Sequence, residues 1–144
     1  MSDDKQVLKL ADFGNASPVH EQWSLQFTRN KNNLVVTIRW TAPEIMCDDT
    51  MMQGHTYSSD VYSLGMTILE IATGKIPFFG HTDRAVCFKL LSKQYLARPE
   101  QYFPLEDAKS DRLWSLMVRC WDYDAKNRPS ASEVRDELES ISKL

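Results

Sequence analysis

Residues 59–73, SDVYSLGMTILEIAT, constrain this chain more than any other stretch. Val61, Leu64, Gly65, Ile68 and Ala72 recur at helical spacing along one face, and Tyr62, Met66, Leu69 and Ile71 occupy much of the remainder. A helix apolar on almost every side has to be buried, so the rest of the chain must supply neighbours around it. Thr73 and Gly74 provide its C-terminal stop, and Pro77 prevents continuation.

Those neighbours read as further helices. One is expected from Asp83 to about Ser92, with Val86, Phe88, Leu90 and Leu91 apolar, followed by a loop-like stretch punctuated by Pro99 and Pro104. Another is expected behind a Ser110 cap, carrying Leu113, Trp114, Leu116, Met117, Cys120 and Trp121. The last opens at Ser130, where Glu133 three residues on completes a capping box before Val134, Leu138 and Ile141. Near the N-terminus the pattern differs: Val7, Leu8, Lys9, Leu10 and Ala11 alternate briefly, as in a short strand, and from Asn15 to about Val36 no period survives. No internal repeat, low-complexity tract or linker divides the chain.

Composition narrows the function classes. A chain of 144 residues, 42% hydrophobic, fits one domain with a real core. A net charge of −3 gives no field that favours nucleic acid or an acidic membrane surface, so neither is expected as a partner. Cys47, Cys87 and Cys120 are odd in number and far apart, which reads as reduced thiols and not as a zinc site or disulfide scaffold. No apolar run reaches the roughly 18 to 20 residues of a membrane span, and residues 1–5 lack a signal-peptide layout. The expected compartment is the cytoplasm or the nucleus. His20, His55 and His81 lie far apart without a partner pattern and read as solvated loop residues.

Four stretches then fall in one order: Asp12-Phe13-Gly14, Ala42-Pro43-Glu44, Ser59-Asp60-Val61-Tyr62-Ser63-Leu64-Gly65, and Cys120-Trp121 followed by Asn127-Arg128-Pro129. Each triplet alone is common by chance; their order and the helical patterns between them are not. The chain resembles the protein kinase superfamily over nearly its whole length. The resemblance implies an α+β protein kinase-like fold. Within it this chain would be a mainly α-helical C-terminal lobe, with at most a short two-stranded sheet near the D-F-G. It also implies a partial kinase domain over residues 1–144, with an activation segment at about 12–44 and a helical lobe at 45–144.

What the resemblance assigns can be set beside the residues themselves. Asp12 would hold magnesium against the ATP phosphates, a hard cation requiring carboxylate oxygen; Phe13 and Gly14 would set the activation state through their packing. The loop that follows would be the activation segment, with Ser17, Ser24 and Thr28 as available phosphate acceptors. Thr37 stands seven residues before Glu44, where Ser/Thr-directed kinases carry Thr and tyrosine-directed kinases tend to carry Pro, and would sit at the substrate-docking position. Glu44 and Arg128 would form a buried structural ion pair. Asp60 would either cap the long helix or anchor the catalytic loop, a scaffold role in both cases. Trp40-Thr41, Cys120-Trp121 and Arg128-Pro129 are typical of tyrosine kinases and of the tyrosine-kinase-like Ser/Thr group, and Thr37 selects the second. Val36 and Asn15 depart from the commoner pattern of that group.

The remaining kinase apparatus is not spelled in these residues. Only eleven residues precede Asp12, none reading H-R-D, and there is no Gly-rich loop and no Lys of the V-A-I-K type. With one magnesium ligand and no phosphate clamp or base, the isolated chain is expected to give negligible turnover. Two readings stand: part of a Ser/Thr protein kinase whose Mg2+ and ATP chemistry needs a kinase N-terminal portion and acts on protein substrates, or a non-catalytic interaction module. Asp12 and the complete activation segment favour the first.

Overall fold

The structure is a computed structural model and describes residues 38–47 and 56–144. These belong to one unit, Asn32–Leu144. Five α-helices and two short 3-10 turns make up the regular structure of the described residues, with no strand among them. The expected strand at 7–11 and the loop at 15–36 lie outside the described residues.

The first helix, α1, is a single turn and a half at Pro43–Cys47. Pro43 suits its first position, where the missing N–H would have had no intrahelical partner. It follows a 3-10 turn at Ile38–Trp40. Sequence periodicity could not reveal either element, because five residues are too few to display a face.

The long helix α2 spans Tyr57–Thr73. Thr56 caps it: its Oγ accepts the Ser59 N–H at 3.1 Å, and the Ser59 Oγ accepts the Thr56 N–H at 2.9 Å. The cap is therefore Thr56 and not the Asp60 carboxylate, which lies on the exposed side of the first turn. At the other end Gly74 takes φ 65° and donates its N–H to the Glu70 carbonyl at 2.7 Å, a left-handed stop that a β-carbon would disfavour.

α3 spans Asp83–Leu91 behind a Thr82 cap, and α4 spans Ala108–Cys120. The cap of α4 is Asp107, whose carboxylate accepts the Ser110 N–H at 2.8 Å. Ser110, expected as the cap, is instead the residue being capped, one turn inside the helix. α5 spans Ala131–Ser142 with the Ser130–Glu133 capping box in place.

α2 separates two apolar clusters. On one side Tyr62, Met66 and Leu69 pack with Ala42, Phe78, Val86, Leu90, Phe103, Met117 and Trp121. On the other Val61 packs with Leu116, Cys120, Val134 and Ile141 from α4 and α5. Gly65 lets α2 and α4 approach closely: a β-carbon there would lie 2.6 Å from the Cys120 Cβ. The outer stripe of α2 departs from the expectation of burial all round. Tyr57 is 74% exposed, Leu64 37% and Ile71 78%, because neighbours among the described residues cover only part of the helix. No helix among the described residues is long and apolar enough to cross a membrane.

Candidate functional site

Residues 38–44 bond along α2, reach the start of α3 and are fastened to the helical body at three places. Glu44 is in the first turn of α1, and Arg128 follows the 3-10 turn Ala125–Asn127. Arg128 Nη1 donates to Glu44 Oε1 at 2.7 Å and Nη2 donates to Oε2 at 2.8 Å, a two-pronged pair. The Arg128 side chain is fully buried, while Glu44 keeps 28% exposure.

Burying a guanidinium is tolerable only when its remaining donors are used. Here Nη1 also donates to the Ser58 carbonyl at 3.0 Å and Nε to the Asp122 carbonyl at 2.8 Å. The cation also lies 5.1 Å from the Tyr62 ring centroid, near the ring face. One residue thus ties α1, the start of α2 and the turn after α4. Burial pushes the Tyr62 phenol well above its ordinary pKa, so it stays protonated beside the pair.

Arg39 makes the second attachment. Nη1 donates to the carbonyls of Pro77 and Phe78 at 2.9 and 3.0 Å, and Nη2 donates to the His81 carbonyl at 2.7 Å and to Asp83 Oδ1 at 2.8 Å. The loop it holds contains a buried Phe78 at φ 56° and Gly80 at φ 84°. A left-handed aromatic residue is unfavourable in isolation, and Arg39 bonds the carbonyl of that residue.

Trp40 makes the third. Its Nε1 donates to Glu70 Oε2 at 3.2 Å, and its carbonyl accepts from the Ser63 hydroxyl at 2.8 Å. Ala42 is buried in the core. The segment's end is therefore set by charge at both ends and by α2 in between.

Of the sequence-derived site residues, the structure brings Glu44 and Arg128 together. Asp60 lies at the edge of the same region, exposed, with no side-chain hydrogen bond or ion pair among the described residues. Asp12, Phe13, Gly14, Ser17, Ser24, Thr28 and Thr37 lie outside the described residues, as do His20 and His55. His81 is exposed on the α2–α3 loop. Cys87 and Cys120 are free thiols, and burial pushes Cys120 up to about 11. The described residues hold no group of three or more His, Cys, Asp or Glu able to bind a metal ion. Their geometry belongs to the scaffold that carries residues 38–44.

Arg39 and Glu70 stand outside the stretches that carry the resemblance, and Ser63 enters only as a member of one of them. Arg39 bonds chiefly to backbone carbonyls, which leave no complementary residue type to notice. A lone Arg between Ile38 and Trp40 was the one available signal.

Comparison with known proteins gives a match to the protein kinase domain over residues 1–138. The chain is 34% identical over 126 residues to a protein kinase and PP2C-like domain-containing protein of Oryza sativa subsp. japonica, covering 79% of this chain and 18% of that protein. It is 32% identical over 141 residues to the dual specificity protein kinase pyk3 of Dictyostelium discoideum, covering 96% of this chain and 9% of that protein. It is 29% identical over 133 residues to the mitogen-activated protein kinase kinase kinase ANP1 of Arabidopsis thaliana, covering 92% of this chain and 18% of that protein. The chain thus spans 9 to 18% of the length of these relatives.

Proposed function

Because this chain belongs to the protein kinase domain family, matched over residues 1–138, we propose that it serves ATP-dependent phosphorylation of protein Ser or Thr side chains. Its part is the activation segment at about 12–44 and the helical lobe at 45–144. The relatives include dual-specificity and mitogen-activated kinase kinase kinase proteins, which supports phosphoryl transfer more firmly than it supports a choice of hydroxyl. Thr37 supports Ser/Thr.

One observation carries the reading: Arg128 meets Glu44 in a buried two-pronged pair, both residues standing in the stretches whose order defines the resemblance. A pair of this kind holds the end of the activation segment to the helical body. Arg39 and Trp40 fix the residues just after Thr37, so that a peptide docking there would meet a preset surface. Asp12 is the residue proposed to hold magnesium, which when bound with ATP supplies charge neutralisation at the phosphates. Ser17, Ser24 and Thr28 are proposed as acceptors of an activating phosphate. The scattered cysteines support a cytoplasmic or nuclear setting.

The 144 residues alone contain no H-R-D and no phosphate-clamping Lys of the family type, so the isolated chain should not turn over. The test is phosphoamino-acid analysis of a generic protein substrate after incubation with Mg-ATP and the protein as the cell makes it, beside Asp12→Ala. Phosphoserine or phosphothreonine abolished by Asp12→Ala is the expected result. Phosphotyrosine alone overturns the substrate class, and absence of label, or label indifferent to Asp12→Ala, overturns the catalytic reading.

A further inference from the structure

Away from the Glu44–Arg128 pair, a cleft of about 170 Å³ opens between the α2–α3 loop and the stretch that leads into α4. Leu69, Ile76, Phe78, Phe79, Leu96 and Tyr102 line it. A cavity of roughly 150 Å³ takes one benzene ring, so the cleft matches a single aromatic or leucine side chain. Ile76 and Phe79 are 41% and 63% exposed at its edge, so its apolar surface is open to solvent.

Its charge is one-sided. Among the described residues no carboxylate lines the cleft, whereas Lys75 does. The Lys75 ammonium lies 5.2 Å from the Phe79 ring centroid and 5.6 Å from that of Tyr102, which places the cation at the aromatic wall. Lys75 forms no ion pair among the described residues. An occupant with a carboxylate beside its apolar group would supply the missing counter-charge.

The walls are already in place. Arg39 holds the carbonyls of Pro77, Phe78 and His81 on one side. On the other, Arg98 donates to the carbonyls of Phe103 and Pro104 at 2.9 and 2.7 Å and pairs with Asp111 at 2.6 Å. Binding would require little ordering of the cleft, which lowers the entropic cost of a small contact.

We infer that this cleft is a docking site for a partner protein segment that presents one aromatic or leucine side chain flanked by Asp or Glu. The apolar side chain fills the cleft, and the flanking carboxylate meets Lys75 at the rim.

The test titrates three capped tripeptides, Glu-Phe-Glu, Lys-Phe-Lys and Glu-Ala-Glu, into the whole chain with methyl NMR of Leu69, Ile76 and Leu96 as the readout. Glu-Phe-Glu is expected to shift these methyls with a Kd of about 1 mM, as befits a small exposed contact. Lys-Phe-Lys should bind about tenfold more weakly, and Glu-Ala-Glu should leave the methyls unmoved. Lys75→Glu, a surface change, should invert the order of the two Phe peptides, and Phe79→Ala should weaken both. Equal binding of the two Phe peptides, binding of Glu-Ala-Glu, or an order unchanged in Lys75→Glu overturns the inference. Concentration-dependent self-association that Phe79→Ala abolishes also overturns it, in favour of a second copy as the occupant.

Discussion

Arg128 meets Glu44 through both terminal nitrogens, at 2.7 and 2.8 Å, across 84 residues of chain. The acid keeps partial contact with solvent and the base keeps none, so the two partners are unequal. Removing Glu44 strands a buried cation, whereas removing Arg128 leaves a carboxylate that water can still reach.

Glu44→Ala should therefore destabilise the fold by about 3 kcal/mol, through the uncompensated guanidinium. Arg128→Ala should also destabilise, because the Ser58 and Asp122 carbonyls lose their donor as well. The double variant should be less unstable than the sum of the two. Urea denaturation of all four proteins measures this coupling; additive losses would contradict it.

Gly65 faces Cys120 so closely that Gly65→Ala should cost roughly 1 to 3 kcal/mol by overpacking, against the usual gain from Ala in a helix. Cys120→Ala keeps the offending β-carbon and should not rescue it, whereas Cys120→Gly should recover part of the loss. Thermal melts of the set decide, and rescue by Cys120→Ala would point to some other contact.

Arg39 serves four acceptors from one planar group. Arg39→Lys, which keeps the charge but not the fork, should increase amide hydrogen exchange in the loop 74–82 almost as much as Arg39→Ala. Protection retained in the Lys variant would mean that charge alone holds the loop.

Asp107 and Glu133 stabilise the starts of α4 and α5. Hydrogen bonds from the Ser110 hydroxyl and N–H hold Asp107 below the usual carboxylate range, and those from the Ser130 N–H and hydroxyl do the same for Glu133. A carboxyl whose folded pKa is depressed contributes fully above its unfolded value, near about 4, and loses that contribution as pH falls through the lower folded value. Asp107→Asn and Glu133→Gln should flatten the acid side of the stability profile below about pH 4 relative to the parent. A parallel shift at all pH values would contradict the assignment.

Cys120 is buried, with its thiol pushed up to about 11, while Cys87 is partly exposed. At pH 8 iodoacetamide should modify Cys87 well before Cys120 in the folded chain, and both at similar rates in urea. Site-resolved mass spectrometry reads this directly; early modification of Cys120 would mean that α4 opens readily.

What was legible in the sequence divides by range. Ser130 and Glu133 sit three residues apart and satisfy each other, so their box could be read from residue types alone. The cap of α4 misled because Asp107 and Ser110 are both good caps, and only the backbone path chooses between them. The buried side of α2 followed from its period, but its open stripe at Tyr57, Leu64 and Ile71 did not, since pattern counts apolar residues and not the neighbours available to cover them. Glu44 and Arg128 are paired only by the family resemblance, and Arg39 carries no such signal because its acceptors are chiefly main-chain.

The main-chain acceptors that both arginines use bear on how this sequence can drift. Ser58, Asp122, Phe78 and His81 are held by their carbonyls, which every amino acid possesses. At the exposed His81 in particular, substitutions compatible with the local backbone leave the clamp intact, while Arg39 and Arg128 each have no substitute. Mutational tolerance around the segment should accordingly be lopsided: Arg39, Arg128 and its carboxylate partner Glu44 intolerant, beside main-chain partners whose identity at the bond itself is immaterial.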